Sequence, residues 1–281
     1  MTTLALFTLK DVLEKARNGN YAVGQFDVFN IPMLQGVLRA AEKTKSPVIL
    51  AYAKLFDEQT DTRHYVSLIM SMIKETSVPV VLHWDHAIDL AEIDLALENG
   101  FTGVMLDASH LPLEENIALT KEVVRRAKKY GCSVESELGH VGFENVYDLE
   151  NYKYTDPEKA KYFVDETGID ALAIAIGNAH GVYTSEPKIN FEILENIKSK
   201  VDIPLVLHGS SGIPDEDIRK CSRLGITKFN IYTDLCLAAR SALNEGLAQG
   251  KNYFELAEVQ SSAVENVAAA KMELFGCTGK A

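Results

Sequence analysis

A short apolar run followed by an amphipathic stretch recurs eight times along this chain, and no other feature limits its possible folds so strongly. The apolar runs fall at 21–26, 47–51, 79–83, 103–107, 133–137, 171–176, 204–208 and 226–231. Residues 78–82 and 171–176 are almost continuously apolar, as parallel strands buried on both faces are. Helical periodicity covers 31–45, 64–76, 89–99, 114–130, 156–167, 190–200, 214–224, 233–248 and 254–275. Asn30 and Asp156 suit helix N-caps, and Gly100 and Gly131 suit helix ends. Eight strand–helix units in roughly 250 residues predict a (β/α)8 TIM barrel, with an open doubly wound sheet as the rival. No linker or low-complexity segment divides residues 1–281, so one domain is expected. The last helix lies beyond the eighth unit and forms a C-terminal extension.

Composition narrows the partners. With 47% hydrophobic residues the chain has ample material for a core, which excludes disorder. A formal net charge of −12 argues against nucleic acid or an anionic membrane as a partner. No apolar run approaches the ~18 residues needed to span a bilayer, and no secretory signal is visible, so a cytoplasmic location is expected. Cys132, Cys221, Cys236 and Cys277 are widely spaced without a C-x-x-C pair, which predicts reduced, mostly buried thiols.

In a barrel of this kind, chemistry gathers at the C-terminal ends of the strands. Five of the 7 histidines fall there: His83, His86, His110, His180 and His208. His86, His180 and His208 follow the third, sixth and seventh strands and could converge above the barrel. Three neutral imidazoles suit Zn2+ and leave a coordination position for substrate. A structural role for each histidine is the competing reading. Asp85, beside His86, either bonds to local backbone or transfers a proton. Asp107 and Glu137 either orient the imidazoles, ligate the metal themselves, or are ordinary solvated carboxylates.

The small-residue loops suggest an anion. His208-Gly209-Ser210-Ser211-Gly212 leads into a helix, and Asn230-Ile231-Tyr232-Thr233 opens another. Glycine admits close backbone approach, and helix N-termini favour phosphate. No Walker-type loop and no G-x-G-x-x-G is present, which argues against nucleotide chemistry.

These motifs together resemble the class II, zinc-dependent ketose-bisphosphate aldolases, the group of fructose- and tagatose-bisphosphate aldolases. The resemblance runs through Tyr21–Gly24, Leu82–His86, Met105–Pro112, Val134–Gly139, Ala175–Tyr183, Pro204–Gly212, Asn230–Thr233 and Phe275–Ala281. It implies His86, His180 and His208 as metal ligands and Asp85 as proton donor. It implies phosphate or dihydroxyacetone-phosphate contacts at Gly181, Gly209, Ser210, Ser211 and Asn230 through Thr233, including Ile231 and Tyr232. Asp107 and Glu137 match positions near the metal. The implied reaction is reversible cleavage of a phosphorylated ketose, of the 1,6-bisphosphate type, to dihydroxyacetone phosphate and an aldehyde. The implied cofactor is Zn2+, with room for an assisting monovalent cation, and the implied assembly is a homodimer or homotetramer.

Three departures stand out. Trp84-Asp85-His86-Ala87 replaces the family's usual Leu-Asp-His-Gly or Leu-Asp-His-His, and Trp84 either packs or reshapes the substrate site. Phe26-Asp27 stands where the family has a Phe-Asn pair, placing a negative charge near the site mouth. Gly142-Phe143-Glu144-Asn145-Val146 stands where the family has a mobile Gly-Gly-x-Glu-Asp loop whose glutamate shuttles the carbon-bound proton. Asn145 takes that glutamate's place, so either Glu144 moves into the role, or the proton step is done differently or is impaired. A lyase for another phosphorylated or acidic sugar, a weakly active sugar-phosphate-binding barrel, and a metal hydrolase remain the alternatives.

Overall fold

Eight parallel strands close into a barrel in the order β1 to β8, which excludes the open sheet. The computed structural model describes residues 6–59, 61–142 and 154–281. The strands are β1 (Val23–Asp27), β2 (Val48–Tyr52), β3 (Val80–Ala87), β4 (Gly103–Leu106), β5 (Ser133–Leu138), β6 (Ala171–Ile174), β7 (Leu205–Leu207) and β8 (Ile226–Ile231). The helices are α1 (Leu9–Gly19), α2 (Ile31–Thr44), α3 (Thr62–Met72), α4 (Leu90–Glu98), α5 (Leu113–Ala127), α6 (Pro157–Thr167), α7 (Phe191–Lys200), α8 (Asp215–Arg223), α9 (Thr233–Ala248) and α10 (Tyr253–Leu274). Most strand residues are buried, because the barrel interior covers one face and the helices cover the other.

Helix α1 was not expected from the periodicity. Thr8 caps it, and Asp11 returns a bond to the Thr8 backbone, a reciprocal capping box. Leu9 and Leu13 are fully buried, and the helix touches β1, β3, β5 and β8, so it closes the N-terminal end of the barrel. At the other terminus, α10 packs along α2 and β1. A Cβ at Gly36 would stand 2.5 Å from the Ser261 carbonyl oxygen, so glycine sets how closely α2 and α10 approach. Phe275 stacks on Phe229 with ring centroids 4.7 Å apart, anchoring the extension to β8.

Strand alternation sorts each side chain inward or outward. On β5, Glu135 and Glu137 share the inward face; on β8, Lys228 and Asn230 do. Phe229 and Ile231 point outward into the apolar layer under the helices. Trp84 is fully buried between Tyr52 and Phe101, with ring centroids 6.0 and 5.4 Å away, so its role is packing. All four cysteines are free thiols. Among the described residues, no helix is long and apolar enough to cross a membrane.

Candidate active site

The C-terminal end of the barrel carries a cavity of about 450 Å³ lined by Asp85, His86, His180, Gly209, Ser211 and Asn230, among others. Asp85 and His86 are consecutive, and a regular strand would send them to opposite faces. The register between β3 and β4 shifts between Trp84 and Ala87, and His86 adopts a left-handed φ of 50°. This bulge turns both side chains into the cavity. Non-glycine residues rarely hold such a conformation unless the surroundings impose it.

His86, His180 and His208 offer nitrogens that lie within 4.8 Å of one another. Each ring is braced from outside. Asp107 Oδ2 lies 3.0 Å from His86 Nδ1, Glu135 Oε1 lies 2.8 Å from His208 Nε2, and the Val141 carbonyl lies 3.2 Å from His180 Nδ1. These partners fix ring orientation, as carboxylate and carbonyl partners of metal-ligating histidines do. His86 Nε2 and His208 Nδ1 then face each other at 2.9 Å. Two imidazole lone pairs at that distance repel unless a positive charge joins them. The donor set therefore fits a divalent metal of zinc type.

Without a metal, the same attraction for positive charge falls on a proton. Burial disfavours the His86 cation, but Asp85 and Asp107 outweigh it and raise the imidazole to about 10. Burial, reinforced by His86 and His208, pushes His180 down to about 3. Burial opposes the Asp107 anion, yet hydrogen bonds with His86 and Ser109 hold it below the usual carboxylate range. Glu137 is fully buried beside Asp107, and burial followed by that neighbour raises it to about 8. Its Oε1 accepts the Val141 N–H at 2.9 Å. His86, Asp107 and Glu137 also form a second cluster of donor atoms within 4.8 Å.

Asp85 is buried, with Asn230 Nδ2 at 3.4 Å and His86 Nε2 at 3.9 Å. Burial works against its anion, but His86, His208 and Lys228 outweigh that and keep it ionised. The end of β8 and the segments after β6, β7 and β8 bring Gly181, Gly209, Ser211, Asn230, Tyr232 and Thr233 to the cavity wall. At Gly209, φ is +59° and a Cβ would stand 2.0 Å from the Ala179 carbonyl oxygen, so only glycine fits. Ser211 Oγ accepts the Asp234 N–H at the start of α9.

Ser210 and Ile231 do not join this wall. Ser210 is fully buried; its hydroxyl donates to the Leu207 carbonyl at 2.8 Å and its N–H to the Asn230 carbonyl at 3.2 Å. Ile231 belongs to the outward face of β8. Glu144 lies outside the described residues. His110 is exposed and stands apart from the cavity, whereas His140 lines it, with its Nδ1 2.9 Å from Ser109 Oγ.

Sequence reasoning did not select Glu135 or Lys228. Glu135 accepts from His208 and from the fully buried Lys228 ammonium, whose Nζ lies 2.9 Å from Oε2 and also donates to Asn230 Oδ1 at 2.9 Å. Burial opposes the Glu135 anion, but Lys228 and His208 bring it down to about 2. Period-two alternation was the available signal: Glu135 shares a face with Glu137, and Lys228 with Asn230.

The profile of the family "Fructose-bisphosphate aldolase class-II" matches residues 7–280. The chain belongs to the class II fructose-bisphosphate aldolase family. It is 47% identical over 268 residues to Escherichia coli (strain K12) "Uncharacterized protein YdjI", covering 95% of this chain and 96% of that protein. A crystal structure of the YdjI aldolase superposes with a TM-score of 0.90, at 41% identity, covering 98% of this chain and 99% of that one. The chain is also 39% identical to the 6-phospho-5-dehydro-2-deoxy-D-gluconate aldolase of Halalkalibacterium halodurans, covering 99% of each. It is 39% identical to the fructose-bisphosphate aldolase of Geobacillus stearothermophilus, again covering 99% of each. The last two relatives act, by name, on different sugar phosphates.

Proposed function

We propose that this chain catalyses reversible aldol cleavage of a phosphorylated ketose to dihydroxyacetone phosphate and an aldehyde. One observation carries the reading: three braced imidazoles converge beside an ionised, buried Asp85 in a cavity large enough for a sugar phosphate, in a chain of this family. The proposed ligands are His86, His180 and His208, with Zn2+ as the metal. When bound, the divalent cation supplies Lewis-acid stabilisation of negative charge on the reacting oxygens.

Asp85 accepts the proton of the C4 hydroxyl. The C3–C4 bond then breaks, its electron pair passes to the dihydroxyacetone-phosphate half as an enediolate, and the aldehyde is released. A second acid returns a proton to the enediolate carbon; Glu144 is the proposed residue. In condensation Asp85 gives its proton to the new alkoxide. Asn230 keeps Asp85 oriented, while Gly181, Gly209, Ser211 and Thr233 are the proposed phosphate contacts. Holding the phosphate at loop backbone and the α9 N-terminus converts binding energy into orientation. Lys271 pairs with Asp234 at 2.8 Å, which offsets the negative charge in the first turn of α9.

Asp107 and Glu137 are assigned to supporting the site, Asp107 through His86 and Glu137 through the Val141 backbone. A cytoplasmic location and a homo-oligomer complete the proposal. Exposed Leu247, Tyr253 and Phe254 around the α9–α10 turn are apolar surface of the kind a second copy covers.

The test is enolisation in isolation. Zinc-loaded protein in D2O, given dihydroxyacetone phosphate and no aldehyde, is expected to exchange one carbon-bound hydrogen, read by NMR. His208→Ala is expected to lose both zinc and exchange. Zinc-loaded protein that leaves every carbon-bound hydrogen in place contradicts the proposal.

A further inference from the structure

Asp27 stands at the end of β1 and lines the same cavity. It is only 7% exposed, and its Oδ1 has no hydrogen-bond partner among the described residues. A buried carboxylate oxygen left unpaired is costly, and such a group commonly serves a ligand. Burial and then Asp85 raise its carboxyl well above the usual range, against smaller opposing effects of His86, Lys228 and Gln25.

Two aromatic rings, Phe56 and Tyr232, line the cavity with it, and Phe29 packs behind them. Phe56 lies with its centroid 5.2 Å from that of Phe29 and 5.8 Å from that of Tyr232. Leu55, 66% exposed, extends this wall outward. A hydroxyl acceptor beside apolar ring faces suits a polyol, whose carbon-bound hydrogens pack on rings while its hydroxyls donate.

The described part of this wall gives a phosphate no cationic partner. No lysine or arginine lines the cavity among its described residues. Lys54, between the lining residues Ala53 and Leu55, is bound to Asp57. Lys228 lies deeper, held by Glu135 and Asn230. The proposed phosphate loops follow β6, β7 and β8, whereas Asp27 ends β1 and Phe56 follows β2. A ketose with its 1-phosphate on those loops extends its other half along this neighbouring arc.

We propose that Asp27 makes this site selective for a ketose 1-phosphate whose aldehyde half carries hydroxyls and no second phosphate. This rests on the aldolase reading and refines its substrate. Asp27 accepts a hydroxyl of the aldehyde half, while the described residues of this arc give a phosphate dianion no cationic partner and the ionised Asp85 behind them repels one.

The experiment compares kcat/KM of the zinc-loaded protein for fructose 1-phosphate and tagatose 1-phosphate against the two corresponding 1,6-bisphosphates. The better 1-phosphate is expected to win over its bisphosphate by roughly 100-fold or more. In Asp27→Ala and Asp27→Leu, which remove the partner of that hydroxyl, the ratio is expected to fall by about ten-fold or more. The ratio is taken on one preparation, so a partly folded variant does not distort it. Wild-type protein that cleaves the bisphosphates as well as the 1-phosphates, or a ratio unmoved by both substitutions, overturns the role of Asp27 while leaving the aldolase reading intact. Zinc-loaded protein that releases dihydroxyacetone phosphate from none of the four overturns the aldolase reading and this inference with it.

Discussion

Glu135 Oε1 lies 2.8 Å from His208 Nε2 and 3.1 Å from Lys228 Nζ, so one buried carboxylate ties a candidate metal ligand to a buried ammonium. His208, Glu135 and Lys228 are all fully buried, and removing one member leaves another charge or ring without its partner.

Glu135→Gln keeps the size of the side chain and removes the charge. It is expected to weaken zinc binding by about 10–100-fold, because His208 loses the negative charge that holds and polarises its ring. It also leaves Lys228 buried without its carboxylate, at a cost of about 3–5 kcal/mol. Competition with a chromophoric chelator reads the first effect, and urea unfolding of the metal-free protein reads the second. The double variant Glu135→Gln, Lys228→Met is expected to recover part of the stability but none of the zinc affinity.

Asp85→Asn separates proton transfer from metal binding. Asp85 bonds to Asn230 and is not one of the three braced rings. The variant is expected to hold one zinc equivalent and to lose about 10²–10⁴-fold in kcat. Metal analysis and steady-state kinetics on the same sample check it. Full activity contradicts the assignment of the proton carrier.

The single tryptophan, Trp84, precedes Asp85 yet faces the packed layer between Tyr52 and Phe101. Its fluorescence is expected to be blue-shifted, inaccessible to iodide and unchanged by substrate, until unfolding exposes it. Trp84→Phe is expected to cost about 1–3 kcal/mol through the cavity it leaves. Quenching by added sugar phosphate would place the ring at the site instead.

The thiols give a pH signature. Burial pushes Cys132 and Cys221 up to about 12 and Cys277 up to about 11 from an ordinary 9.0. A thiol whose pKa is raised by folding favours the native state below pH 9 and loses that contribution as pH rises toward the folded values. Stability is therefore expected to fall between about pH 9 and pH 12. At pH 8, alkylation is expected first at half-buried Cys236, with the other three protected until unfolding. Mass spectrometry of timed samples reads the order; equal rates at Cys132 and Cys236 contradict it.

The barrel was legible because parallel strands buried on both faces leave long apolar runs, as at Ala171–Ile174, and each was followed by a helical period. Helix α1 was missed because it precedes the first strand, although Thr8 and Asp11 carry its capping signal. The three histidines could be chosen because chemistry collects at strand ends. That Asp85 and His86 both face inward could not, since it depends on the bulge where β3 meets β4. Asn230 and Ile231 looked equivalent as neighbours in one motif, and only the alternation of β8 separates the cavity residue from the core residue.

The most direct test of the account is a coupled assay of dihydroxyacetone-phosphate release from fructose and tagatose 1-phosphates and 1,6-bisphosphates. It is run on protein as purified, after chelation with EDTA, and after zinc is restored. Cleavage of at least one ketose phosphate is expected, disappearing on chelation and returning with zinc. Protein shown to hold zinc that releases no dihydroxyacetone phosphate from any of them contradicts it.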